Sequence, residues 1–112
     1  MRSLSAPAAL LLPLLLAATQ ASAQGALQQE RLSFGRVVAE SWCANCHVTG
    51  PGARGPVGDA APPFQEIARM PSTTEMSLRV FLQTPHARMP DYRLSQAELD
   101  GVVAYILSLK GR

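Results

Sequence analysis

The two cysteines of this 112-residue chain stand three positions apart, as Cys43-Ala44-Asn45-Cys46, and His47 follows directly. Three positions are close to one helical turn, so both thiols and the imidazole fall on one side of a short segment. Whatever chemistry this cluster holds, the rest of a small chain has to fold around it. Cys-x-x-Cys-His is the attachment pattern of haem c: the two thiols add to the two vinyl groups on one edge of the porphyrin, and the imidazole lies under the iron as its proximal ligand. Two other readings compete. A thioredoxin-type or structural Cys-x-x-Cys disulfide suits an exported chain, but the thioredoxin type needs a βαβ setting. A structural zinc site needs four ligands, which Cys43, Cys46, His47 and His86 could supply.

The N-terminus points to export. Arg2 precedes the apolar stretch from Leu4 to Ala18, and Ala21-Ser22-Ala23 has the small-x-small form of a signal-peptidase site. Residues 1–23 therefore read as a signal peptide, cut after Ala23. The apolar stretch carries Pro7 and Pro13 and falls short of the roughly 20 residues that a spanning helix needs, so no stable membrane insertion is expected after cleavage. Ten Lys and Arg against eight Asp and Glu leave the chain near neutrality. That balance argues against a nucleic-acid binder, which needs a strongly basic face, and against an acidic disordered tail.

Past the leader, residues 24–29 read as a polar, flexible lead-in, and residues 30–112 as a single domain. The apolar residues Phe34, Val37, Val38 and Trp42 predict an amphipathic helix running into Cys43. Thr49 to Pro63 is crowded by Gly50, Gly52, Gly55 and Gly58 and by Pro51, Pro56, Pro62 and Pro63, so a long loop is expected there. A short helical turn carrying Phe64, Ile67 and Ala68 should follow. Ser72-Thr73-Thr74-Glu75 has the form of a capping box and opens a helix with Leu78, Phe81 and Leu82 on its apolar face. Pro85 stops that helix. A Met89-Pro90 loop leads to a second capping box, Ser95-Gln96-Ala97-Glu98, and to a helix patterned by Leu99, Val102, Val103, Ile106 and Leu107. No stretch alternates with period two, so the expected class is all-α, with three to four short helices and Gly/Pro-rich loops. Such helices are marginal alone and the loops give them little apolar surface, so a bulky apolar group is missing from the polypeptide. A covalently bound haem supplies it.

Residues 30–110, in the order helix, Cys-x-x-Cys-His, Pro-rich loop, middle helix, Met-Pro loop and C-terminal helix, resemble a small bacterial class I c-type cytochrome. The resemblance implies a cytochrome c-like fold around one haem c attached through Cys43 and Cys46, with His47 and Met89 as the iron ligands; Met70 and His86 are the competing candidates for the sixth position, and His86 reads rather as a loop-surface residue. It places the carbonyl that accepts the His47 Nδ1 proton on Pro62, with Pro56 as the alternative, and makes Phe64 and Ile67 walls of the haem pocket. It also puts Gly35 at a close crossing of the first and last helices, against Val102 and Tyr105. Ala39, four before Cys43, departs from the aromatic residue often found there. Arg54, Arg69, Arg88 and Arg93 lie in segments expected around the haem, and Trp42 and Tyr92 near its edge.

The function implied is that of a periplasmic, monohaem electron carrier, and not an enzyme, because both axial positions are filled by side chains. Its partners would be a dehydrogenase as donor and an oxidase or reductase as acceptor, met by a monomer through a small transient interface. The alternatives are a haem subunit of a larger dehydrogenase or oxidase complex, and a Cys-x-x-Cys thiol-disulfide or metal-binding helical module.

Overall fold

The computed structural model describes residues 8–56 and 61–112, with side chains from residue 17 onward. Four helices follow one another: α1 (Ala8–Trp42), α2 (Phe64–Arg69), α3 (Glu75–Gln83) and α4 (Gln96–Ser108), the last tightening into a 3₁₀ turn at Leu109–Gly111. There is no strand among the described residues, so the protein is all-α as its patterning predicts. The chain divides into two compact units, residues 1–30 and 31–112. The expected leader begins in residues 1–7, which lie outside the described residues. No helix among the described residues is long and apolar enough to cross a membrane.

The first helix departs from expectation in length and in face. Residues 24–29, read as a flexible lead-in, are helical and belong to α1, which is not a short helix at all. Ala, Gln, Leu, Glu and Arg dominate this stretch and are strong helix formers, and no proline interrupts it after Pro13. Within the second unit, the inward face of α1 is Gly35, Val38 and Ala39, whereas Phe34, Val37 and Trp42 stay exposed. The reason is the close approach of α4. A Cβ built at Gly35 would overlap the carbonyl of Gly101, and one built at Gly101 would stand 3.2 Å from Gly35 Cα. Two glycines let the backbones meet, so the buried side of α1 is small and its large apolar side chains project beside the contact.

The core centres on α4, where Leu99, Val102, Val103, Tyr105 and Ile106 are buried together with Phe64 and Ala68 of α2, Leu78 of α3 and Leu109. α4 packs against both α2 and α3, and the terminal 3₁₀ turn packs on α2. Six residues are too few for a stable isolated helix, so α2 depends on such contacts. The Phe64 N–H donates to the carbonyl of Val48 at 2.9 Å, and Gln65 and Arg69 both donate to the backbone carbonyl of Arg112.

The caps differ in one instance. At α4, Ser95 and Glu98 form the expected reciprocal box, the Glu98 carboxylate taking the Ser95 N–H at 2.8 Å. At α3 the box is Thr74 with Ser77, two residues later than the Ser72 and Glu75 pair predicted. Glu75 is the first helical residue, one turn before Arg79, so its carboxylate takes the Arg79 guanidinium at 3.0 Å. Arg79 reaches on to Asp100 of α4 at 2.6 Å and ties the two helices together.

Candidate functional site

The Cys-x-x-Cys-His segment continues the winding of α1. The Cys43 N–H donates to the carbonyl of Ala39, and the N–H groups of Cys46 and His47 both donate to the carbonyl of Cys43, at 3.1 and 2.9 Å. This winding keeps the two cysteines about one turn apart and turns His47 inward, where it is buried. Neither cysteine is in a disulfide. Burial pushes the Cys43 thiol up to about 11. A disulfide-exchange nucleophile needs the opposite shift, toward the thiolate, so burial works against a thioredoxin-type role for Cys43. Nor does the zinc arrangement form: among the described residues no three His, Cys, Asp or Glu side chains are grouped to hold a metal.

His47 is held on two sides. Its Nδ1 lies 2.7 Å from the carbonyl of Pro62, which can only accept, so Nδ1 is the donor and, in the neutral ring, Nε2 bears the lone pair. Phe64 packs against the ring, with centroids 5.2 Å apart and planes tilted by 56°. The bond between Phe64 N–H and Val48 straps this corner shut, so the Pro62-Pro63-Phe64 stretch and the His47-Val48 stretch are positioned as one piece.

Cys43, His47, Phe64 and Met89 line one cleft, with Ile67, Leu78, Phe81 and Leu82 as apolar walls. Trp42 and Tyr92 also line it, their rings 5.2 Å apart. Cys46 does not; it is exposed and borders a second hollow together with Pro56 and Pro62. Met70, at the end of α2, lines neither. The donor set fits an iron porphyrin: an imidazole with a free Nε2 lone pair, a thioether sulfur, and a thiol, all against apolar walls. Of the arginines, Arg69 is taken up by the C-terminal carbonyl.

A family described as cytochrome c oxidase, cbb3-type, subunit III matches residues 30–106. The chain belongs to the c-type cytochromes. Cytochrome c-552 of Bradyrhizobium diazoefficiens is 36% identical to this cytochrome over 96 residues, which cover 86% of this chain and 90% of that protein. No solved structure matches it. Membership makes this cytochrome a haem-containing electron carrier, as the order of its motifs implies.

One feature of the cytochrome went unread in the sequence: Gly101, one residue before Val102, is the partner of Gly35, with Tyr105 beside it. His86, a competing candidate for the sixth position that reads rather as a loop-surface residue, is not at the surface. It is half-buried, lines the cleft, and brings Nε2 to 3.0 Å from the Met89 sulfur. The available signal was its spacing, three before Met89 inside a loop bounded by Pro85 and Pro90.

Proposed function

We propose that this cytochrome is a periplasmic carrier of single electrons, with one haem c tethered through Cys43 and Cys46 and ligated by His47 and Met89. The haem supplies a reversible one-electron iron couple. The chain determines where that couple sits and which state it favours. The wound 43–47 segment presents the Cys43 thiol and the His47 imidazole to one cleft and keeps the exposed Cys46 thiol about one turn from Cys43, and the Nδ1–H of His47, donated to Pro62, fixes the ring plane and raises the donor strength of Nε2. The Met89 thioether, a soft donor, favours the reduced state relative to a second imidazole. Phe64, Ile67, Leu78 and Leu82 keep water off the site. With His47 and Met89 both holding the haem iron, no position would remain for a substrate, so in this reading the protein transfers electrons without being an enzyme.

In this reading residues 1–23 are the signal peptide, residues 24–29 a lead-in and residues 30–112 the carrier domain, working as a monomer. Half-exposed Trp42 and Phe81 at the cleft suit brief docking by a dehydrogenase donor and an oxidase or reductase acceptor. The observation that carries the reading is the bond of His47 Nδ1 to Pro62 with Met89 facing the same cleft. The test is a pyridine haemochrome assay on protein exported from a host competent in cytochrome maturation. Covalently held haem is expected; a colourless product would overturn the reading. A second reading, a tightly held subunit of a larger oxidase complex, is favoured by the wording of the family's description. Co-purification with other chains at high salt would establish it, and elution alone would establish the free shuttle.

A further inference from the structure

The surroundings of His86 go beyond what a Met89 ligand requires. Its Nδ1 lies 2.8 Å from the carbonyl oxygen of Thr84, which can only accept, so Nδ1 carries the proton of the neutral ring. Nε2, which in that neutral form bears the lone pair, lies 3.0 Å from the Met89 sulfur, at the cleft that His47 also lines. Nitrogen and sulfur, both able to bind a metal, thus stand side by side at one point of the cleft.

The local chain builds this pairing. α3 ends at Gln83, and Thr84, held extended before Pro85 (φ −116°, ψ 137°), leaves its carbonyl free to take the His86 proton. Phe81, in the last turn of α3, packs on the imidazole with centroids 3.7 Å apart. Arg88 turns the chain through a left-handed conformation (φ 71°), and Met89 comes back onto His86.

We propose that His86 Nε2 is a second ligand for the same iron position, exchanging with the Met89 sulfur according to oxidation state. This rests on the reading of His47 and Met89 as the axial pair. When the iron gives one electron to the acceptor, the iron–sulfur bond breaks and an iron–nitrogen bond forms, because imidazole favours the oxidised metal more than a thioether does. With the ring neutral its proton stays on Nδ1 toward Thr84, so the exchange itself moves none. Re-reduction reverses the exchange. The oxidised carrier is thereby held at a lower potential than a fixed His/Met centre, and each cycle includes a loop step.

The test uses the haem-loaded protein and three variants, His86→Phe, which keeps a ring on Phe81 without donor nitrogens, Met89→Ala, and both together. Spin state and coordination are read by visible and electron paramagnetic resonance spectra. Oxidised wild type is expected to lack the sulfur-to-iron charge-transfer band, and His86→Phe to restore it. Oxidised Met89→Ala is expected to stay six-coordinate and low-spin, and the double variant to become high-spin and bind carbon monoxide when reduced. A Met89→Ala protein as high-spin as the double variant, with the band already present in wild type, would overturn the exchange and leave Met89 as ligand. A Met89→Ala spectrum equal to wild type in both oxidation states would overturn the exchange together with the Met89 reading. Should Met89→Ala fail to retain haem, the comparison of wild type with His86→Phe decides alone.

Discussion

Single atoms decide the tightest point of the fold. The neighbours that an added Cβ at Gly35 would meet are the Gly101 carbonyl and Tyr105 Cβ, at the backbone or one bond from it, so they cannot swing aside as a long side chain would. Gly35→Ala is therefore expected to cost about 1–3 kcal/mol, the usual range for overpacking, read as a lower denaturant midpoint of the haem-loaded protein. An unchanged midpoint would deny the close crossing. Sulfur atoms are equally unequal. Met89 lines the cleft and Met70 does not, so Met89→Ala is expected to lower the reduction potential and Met70→Ala to leave it in place. Equal potentials for the two variants, measured by redox titration, would remove Met89 from its proposed role.

Helix ends carry the predictions at the level of elements. The cap of α3 runs through Thr74 and Ser77, so Thr74→Ala is expected to cost about 1 kcal/mol and Ser72→Ala less than about 0.5 kcal/mol, by denaturant unfolding. The reverse order would restore the box predicted from Ser72 and Glu75. At α4 the Glu98 carboxyl is held below its usual range, first by the Ser95 N–H and then by the Ser95 hydroxyl. A carboxyl lowered in the folded state stabilises at pH values above its unfolded pKa and loses that contribution as pH falls through the folded one. The stability gap between wild type and Glu98→Gln is expected to be widest near neutrality and to close below about pH 4. A gap that widened in acid would contradict the cap.

The whole molecule is organised around space that its own side chains do not fill. α2, α3 and α4 surround an apolar cleft, and the short α2 and α3 depend on tertiary contacts rather than on their own propensity. Haem-free protein, made as Cys43→Ala with Cys46→Ala, is expected to be largely unfolded by circular dichroism, because burial of the porphyrin replaces core that the polypeptide lacks. A sharp cooperative melt of that form would contradict this. Export belongs to the same scale: mass spectrometry of the secreted protein is expected to find Gln24 as its first residue.

What could be read along the chain was what local rules govern. Helix faces repeat every three or four residues, prolines end helices, and the Ser95 and Glu98 box spans one turn, so α2, α3, α4 and the haem-binding motif were legible without a structure. Harder to read were contacts between residues far apart, and choices between similar residues close together. Ser72 and Thr74 are both able to cap, and neighbouring turn contacts selected Thr74. Phe34 and Val37 are more apolar than Gly35, yet Gly35 faces inward because Gly101, far along the chain, admits only backbone there. Likewise His47 Nδ1 meets the carbonyl of Pro62, and His86 Nε2 meets the Met89 sulfur, through the closure of two loops. The sequence alone determines the Cys-x-x-Cys-His motif and the periodicity of the helices; only the tertiary structure decides which surfaces touch, since packing depends on shapes brought together from distant positions.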